Sequence, residues 1–143
     1  MFVRKLNLKI NLPIMKKILI ALVFILAAST VVTAVSSAQS LYFCEGVDSD
    51  GYPINESSTF NISRDGGYLY VLTRLPYRVD CRSVSIVIYR NNEYDNTIYV
   101  DTERDWVWFW KQITFYKSGD YDIYVYDCND YLLTSGYLRI NYN

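Results

Sequence analysis

The chain of 143 residues contains no histidine. Histidine is the most common general base near neutral pH, so Ser-His-Asp and Cys-His catalysis are excluded. The chain also has no glycine-rich phosphate loop and no paired-cysteine spacing of a zinc site. Carboxylates are plentiful and leave a two-carboxylate glycosidase open, but most of them lie in predicted turns. The lack of these catalytic and cofactor-binding patterns favours a protein that is not an enzyme and needs no cofactor.

Alanine is absent after Ala38, and the chain has only six glycines and three prolines. Loss of the best helix former weakens any helical interpretation of the rest of the sequence. All fifteen tyrosines fall after Ala38, together with many valines, isoleucines and threonines. These residue types are enriched in strands, so residues 39–143 are predicted to be all-β.

The N-terminal region has the pattern of a secretory signal. Lys16-Lys17 precedes an apolar run at residues 18–35, and Ser36-Ser37-Ala38 supplies the small residues that a signal peptidase reads. Cleavage is predicted after Ala38, which makes residues 1–38 the signal peptide region. Residues 39–143 then form a single domain that is secreted, periplasmic or displayed on the cell surface.

Three alternatives stay open in this region. Met15 gives a more ordinary start for a signal than Met1 does, and Val32-Thr33-Ala34 is a second cleavage site. The apolar run is also just long enough to cross a bilayer as an uncleaved anchor. The membrane is therefore expected as a partner only through this segment.

Residues 39–143 carry all fifteen acidic residues and nine of the fourteen basic ones, a formal charge of −6. An acidic domain repels phosphate backbones, so nucleic-acid binding is disfavoured and no nucleic-acid partner is predicted.

Alternating apolar residues and turn signals predict about eight short strands, the pattern of an antiparallel sandwich. The predicted strands are residues 41–47, 59–63, 68–75, 83–90, 97–101, 106–116, 121–126 and 131–141. Residues 105–127 contain all three tryptophans and are predicted to form a central hairpin with its turn at residues 117–120. The Arg64-Asp65-Gly66-Gly67 segment is predicted to be a second hairpin turn.

The segment Gly119-Asp120-Tyr121-Asp122-Ile123 resembles the start of strand F in immunoglobulin-like sandwiches. The resemblance implies an Ig-like fold of exported bacterial proteins, with seven or eight strands. It also implies a tyrosine corner, in which Tyr121 after Gly119 bonds its hydroxyl to nearby backbone. Ile123 stands where the family has its second inter-sheet cysteine, so the antibody-type disulfide is not expected.

Three cysteines, Cys44, Cys81 and Cys128, allow one disulfide and one leftover thiol in an exported domain. Sequence leaves the three pairings open. Cys44 with Cys128 is favoured because this pair ties the two ends of the domain together.

Two further patterns concern ligands. Asp48-Ser49-Asp50-Gly51 is a fragment of a calcium loop, but turn chemistry alone accounts for these residues, so no metal site is predicted.

Aromatic residues form the stronger pattern, because a row of exposed rings on one sheet face binds sugars or the apolar groups of a protein. The same rings also stabilise sheets as cross-strand pairs. The candidate ligand-binding residues are Tyr68, Tyr70, Trp106, Trp108, Trp110, Tyr124 and Tyr126.

Taken together, these patterns predict an exported, non-catalytic Ig-like binding module, protein-binding or accessory at the cell surface. One alternative is a carbohydrate-binding module that uses the aromatic face. Another is an inhibitor of a secreted enzyme.

Overall fold

The computed structural model describes residues 40–143, which form strands and turns without a helix. The predicted signal region lies outside the described residues. Within them, no helix is long and apolar enough to cross a membrane. The strands are β1 (Leu41–Cys44), β2 (Gly46–Val47), β3 (Pro53–Ile54), β4 (Thr59–Ile62), β5 (Gly67–Arg74), β6 (Ser83–Arg90), β7 (Glu93–Asp101), β8 (Trp108–Phe115), β9 (Gly119–Tyr126) and β10 (Leu132–Tyr142).

The strands form two main sheets and one small one. A three-stranded sheet has the order β1-β5-β8, and a five-stranded sheet has the order β4-β10-β9-β6-β7. The short strands β2 and β3 pair with each other. Neighbouring strands are antiparallel except β4 and β10, which run parallel. The prediction of an all-β, sandwich-like domain is confirmed. The strand count rises to ten because the predicted strand 41–47 splits in two and β3 follows it.

The core lies between the two main sheets, because each sheet turns one apolar face towards the other. Period-two alternation predicts this face correctly on β6, β8 and β9. The same alternation would place Val107 on this face, but Val107 lies before β8 and is exposed. The buried residues that follow the alternation are Val84, Ile86, Ile88, Phe109, Ile113, Phe115, Tyr121, Ile123 and Val125.

The predicted central hairpin at residues 105–127 is wrong. β8 pairs with β5, whereas β9 pairs with β6 and β10 in the other sheet. The turn after Phe115 therefore carries the chain across the core, where the rings of Phe115 and Tyr121 meet at 5.1 Å. The second predicted hairpin turn, at Arg64–Gly67, also connects the two sheets. The strands on either side of it, β4 and β5, belong to different sheets, and a single bridge between Ser63 and Gly66 is the pairing found there. A tight turn alone does not decide whether the flanking strands pair or face each other.

The favoured Cys44–Cys128 pairing is also wrong, because the disulfide joins Cys81 to Cys128 with a Cα–Cα distance of 5.8 Å. Cys81 precedes β6 and Cys128 follows β9. These strands pair antiparallel, with Ser85 opposite Tyr126, so their outer ends meet. Cys44 belongs to the other sheet, where its buried thiol donates to the Tyr70 carbonyl oxygen at 3.6 Å. Burial raises the pKa of the Cys44 thiol.

Tyr121 makes the type of bond that a tyrosine corner requires. Its hydroxyl donates to the Lys117 carbonyl oxygen at 2.6 Å, across the turn that joins the two sheets. The side chain is almost completely buried, and burial raises the pKa of Tyr121 to about 12. The neutral hydroxyl therefore ties the crossover to the start of β9.

Tyr121→Phe is expected to lower the free energy of unfolding by about 1 kcal/mol at pH 7, because it removes the hydrogen bond that this buried side chain donates. The pKa of the unfolded tyrosine is about 10. The contribution of the protonated hydroxyl is therefore fully present below pH 10 and is lost as pH rises towards 12. Urea unfolding at pH 7 and at pH 11 measures both effects. Tyr99→Phe is the control at an exposed tyrosine, and equal destabilisation by both changes would contradict the role of Tyr121.

Candidate functional site

A pocket of about 560 Å³ lies on the side of the sandwich where β7 and β8 form the edges of the two sheets. We call it the tryptophan pocket, because all three tryptophans line it. The remaining wall is mainly apolar, with two aspartates at its rim that are solvent-exposed. The lining residues are Val100, Asp101, Asp105, Trp106, Val107, Trp108, Phe109 and Trp110.

Trp106 and Trp110 are the exposed rings of the pocket, with 42% and 44% of their surface accessible. Trp106 lies in the connection between β7 and β8. Its backbone is held by hydrogen bonds to Glu103 and Val79, at 3.0 and 2.8 Å. The Trp110 ring makes an edge contact with Tyr70 at 5.1 Å. Both rings therefore sit on a fixed backbone while keeping large accessible faces.

Trp108 is held more tightly than the other two tryptophans. Its half-buried ring lies against Gly51, where an added Cβ would come within 2.3 Å of the ring. Gly51 has a φ of 75°, which glycine adopts without strain. Arg74 donates to the Gly51 carbonyl oxygen and stacks over the Tyr52 ring at 4.0 Å. Trp108 is thus a wall of the pocket and a support of the turn at residues 48–52.

The turn at residues 48–52 uses its first aspartate for its own backbone. The Asp48 carboxylate accepts from the backbone N–H groups of Asp50 and Tyr52 at 2.9 and 2.8 Å. This is the bonding expected of turn chemistry. Within residues 40–143, no cluster of three or more metal-ligating side chains of the Cys, Asp or Glu type is found.

A second cleft of about 380 Å³ continues along the same side of the sandwich. It lies between Asp95, Asn96 and Ile98 on β7 and the C-terminal half of β8. Core residues Ile113 and Phe115 form part of its wall. The side between β7 and β8 therefore carries two neighbouring clefts that reach the core.

The predicted single aromatic face does not exist, because its members lie on two different sheets whose outer faces point in opposite directions. Tyr68 and Tyr70 on β5 share an outer face with Trp108 and Trp110 on the neighbouring β8. Trp106 lies in the preceding connection. Tyr124 and Tyr126 lie on β9 in the five-stranded sheet. Alternation along the sequence could not assign these residues to different sheets, because it shows which residues of a strand point outwards but not which sheet the strand joins.

The two tyrosines of β9 belong to a separate row of rings. Tyr124 contacts Tyr89 at 5.9 Å and Tyr126 at 6.5 Å, and Tyr89 contacts Tyr94 at 6.0 Å. Cross-strand ring pairs of this kind stabilise a sheet directly. A shallow depression of about 300 Å³ beside them is lined by Tyr89, Asn92, Asp122, Tyr124 and Tyr126.

An exposed polar cluster lies on the same outer face. Asp120 on β9 is opposite Arg139 on β10, and their side chains form an ion pair at 2.7 Å. The Tyr137 hydroxyl also donates to the Asp120 carboxylate, at 2.5 Å. The hydrogen bond from Tyr137, followed by the bond from Arg139, lowers the pKa of Asp120. The Asp120 carboxylate is thus bound by two side chains of the neighbouring strand β10, so the cluster is structural.

Asp101 and Asp105 are the residues of the pocket that sequence reasoning missed. Asp101 is the last residue of β7 and follows Val100, whereas Asp105 lies within the β7–β8 connection beside Trp106. Neither carboxylate has an ion pair or side-chain hydrogen bond among residues 40–143. Their position after a strand and next to the tryptophans is the signal that would have found them.

Comparison with protein-family models finds none that matches this chain, and comparison with curated proteins finds no match either.

Proposed function

We propose that the protein is an exported, non-catalytic binding module that takes a protein partner at the tryptophan pocket. The observation that carries this proposal is the pocket itself. Three tryptophans surround one mainly apolar cavity between the edges of the two sheets, together with two carboxylates that have no partner among residues 40–143. Tryptophan is enriched among residues that dominate binding energy at protein interfaces. The two carboxylates add a preference for a basic side chain, which also stacks on aromatic faces.

The proposed fold is Ig-like, and the strand order supports it. Ig sandwiches pair A-B-E-D in one sheet and C-F-G in the other, with C′ added beside C in variable-type domains. The orders β1-β5-β8 and β10-β9-β6-β7 match A-B-E and G-F-C-C′. The Tyr121 bond at the start of β9 supports the same assignment. The departures are Ile123 in place of the second cysteine, the additional strand β4 beside β10, and no counterpart of strand D between β7 and β8.

Export is supported by two independent features. The N-terminal sequence has the pattern of a secretory signal. The Cys81–Cys128 pair lies at disulfide distance, and such bonds persist mainly in oxidising compartments. A secreted, periplasmic or surface location fits both observations.

A carbohydrate is the second candidate ligand, because the faces of tryptophan rings stack on sugars while carboxylates accept from hydroxyl groups. Trp106 and Trp110 expose accessible ring surface beside Asp101 and Asp105. A glycan-array screen on the purified protein, read with tryptophan fluorescence, tests this candidate. Glycan binding that Trp106→Ala abolishes would replace the protein partner by a sugar.

A photo-crosslinking residue in place of Trp110 is expected to form an adduct with a protein of the host's exported fraction. Trp106→Ala in the same chain is expected to reduce that adduct at least tenfold, because it removes the other exposed ring that lines the same pocket. Gel analysis and mass spectrometry of the adduct provide the measurement. The matched control is the crosslinker in place of Tyr126 on the five-stranded sheet. Equal adducts from both positions, unaffected by Trp106→Ala, would contradict the proposed site.

A further inference from the structure

Strand β8 is an edge strand whose hydrogen-bonding direction can be assigned. The Leu75 N–H donates to the Val107 carbonyl oxygen at 2.7 Å, and the two residues continue the β5–β8 register. Antiparallel strands alternate between residues that bond to the neighbour and residues that point away from it. Counting on from Val107, the residues that bond to β5 are Phe109, Lys111, Ile113 and Phe115. The backbone groups that point away from β5 belong to Trp108, Trp110, Gln112 and Thr114.

These four residues form a free edge with room beside it. Among residues 40–143, the only strand that pairs with β8 is β5. The nearest strand on the open side is β7, which belongs to the other sheet and forms an edge of its own. The tryptophan pocket lies at the N-terminal half of β8 and the second cleft at its C-terminal half. An added strand would therefore find hydrogen-bonding groups along β8, a mainly apolar pocket beside its N-terminal half and a cleft of mixed polarity beside its C-terminal half.

Edge strands of this length template pairing with another chain unless they are blocked. Two features make a second copy of this chain a poor occupant. Lys111 lies near the middle of β8, so antiparallel pairing of two β8 strands about their centres would bring two ammonium groups close together. The formal charge of −6 on residues 39–143 also repels a second copy.

Charge points instead to a basic partner. Asp101 and Asp105 lie at the rim of the tryptophan pocket without a partner among residues 40–143, and Asp95 lies in the second cleft, which Lys117 also lines. The Asp95 carboxylate is only loosely engaged, at 3.9 Å from Arg90. A Lys or Arg side chain beside β8 would meet these carboxylates and stack on Trp106 or Trp110.

We propose that an extended segment of a protein partner adds to the free edge of β8 as a fourth strand and places a basic side chain in the tryptophan pocket. The proposal rests on the proposed function as a protein-binding module, and it specifies how the partner binds. The added segment would take the position that strand D occupies in the Ig arrangement. Main-chain hydrogen bonds supply affinity in this binding mode, and pockets for alternate side chains supply specificity.

The probe for this proposal is a displayed library of random twelve-residue peptides, selected on the purified full-length protein. Selected peptides are expected to alternate apolar residues and to contain Lys or Arg. When such a peptide binds, amide hydrogen exchange should slow at Trp108, Trp110, Gln112 and Thr114. Replacing the peptide's basic residue by Glu should weaken binding at least tenfold.

The matched variants are Gln112→Pro and Gln112→Ala. Proline removes an outward N–H from an edge position, where it is tolerated, whereas alanine removes the side chain and keeps the N–H. Gln112→Pro is expected to weaken peptide binding at least tenfold, and Gln112→Ala less than twofold. The exchange measurement uses the unchanged protein, so it decides the question even if the proline variant unfolds.

Either of two results would overturn strand addition. The first is that no peptide is enriched, and the second is peptide binding with the four outward amides exchanging as fast as before. The photo-crosslinking experiment at position 110 tests the proposed function separately, since it requires only that a protein partner contacts the tryptophan pocket. A crosslinked partner that leaves the β8 amides unprotected would keep the protein-binding function and reject this mode of binding.

Discussion

Removal of the Cys81–Cys128 disulfide is expected to lower the free energy of unfolding by about 2–4 kcal/mol. The bond joins positions separated by 47 residues, so it restricts a long loop in the unfolded chain. It also ties the start of β6 to the end of β9, the central pair of the five-stranded sheet. For a domain of this size, the loss corresponds to a decrease in Tm on the order of 10 °C or more.

The measurement is thermal unfolding of Cys44→Ala with and without dithiothreitol. Cys44→Ala keeps the disulfide and removes the remaining thiol, so it prevents exchange with the bridge. Reduction should lower its Tm, and the unfolding of Cys81→Ser/Cys128→Ser should be insensitive to reductant. Peptide mapping that finds Cys44 in a disulfide of the native protein would contradict the assignment.

Leu138→Ala is expected to lower the free energy of unfolding by about 2–5 kcal/mol, because it leaves a cavity in a fully packed core. Leu138 is 0% exposed, and it lies on β10 opposite Tyr121. It therefore packs where β9 and β10 meet, below the crossover that Tyr121 holds. Urea denaturation followed by circular dichroism measures the change.

The same strand offers a matched control at Leu132. This residue is 52% exposed, so Leu132→Ala deletes the same atoms without opening a core cavity. Its effect is expected to stay below about 1 kcal/mol. Similar losses for both changes would mean that β10 contributes through strand formation and not through core packing.

Strand positions and inward faces were predictable because both depend on local alternation. Ile123 and Val125 on β9, for example, are buried as their period predicts. Strand pairing was not predictable in the same way. The turn between Phe115 and Gly119 is short enough for a hairpin, yet it connects two sheets. Phe115 and Tyr121, on either side of this turn, bury their rings against each other in the core, a contact that local alternation does not predict.

The candidate site was predictable in composition but not in geometry. The three tryptophans were candidate ligand-binding residues from the sequence, and all three line one pocket in the structure. Their grouping with Tyr124 and Tyr126 failed because sheet membership is a long-range property. Asp101 and Asp105 could not be assigned to the site from the sequence, because only the folded chain places them beside the tryptophans in one pocket. The disulfide shows the same limit, because it follows from the β6–β9 register.

The parallel pairing of β4 with β10 has a consequence for the order in which the protein folds. Thr59 pairs with Arg139, and Ile62 pairs with Tyr142, so an early strand depends on the last one. A ribosome delivers the N-terminal residues first, so β4 has no β10 partner until residues 139–142 have been synthesised. Contacts between residues so far apart in sequence slow folding, because the entropy of loop closure is lost before the strands gain their pairing contacts. Pairing of β4 is therefore expected to be a late step in the folding of the five-stranded sheet.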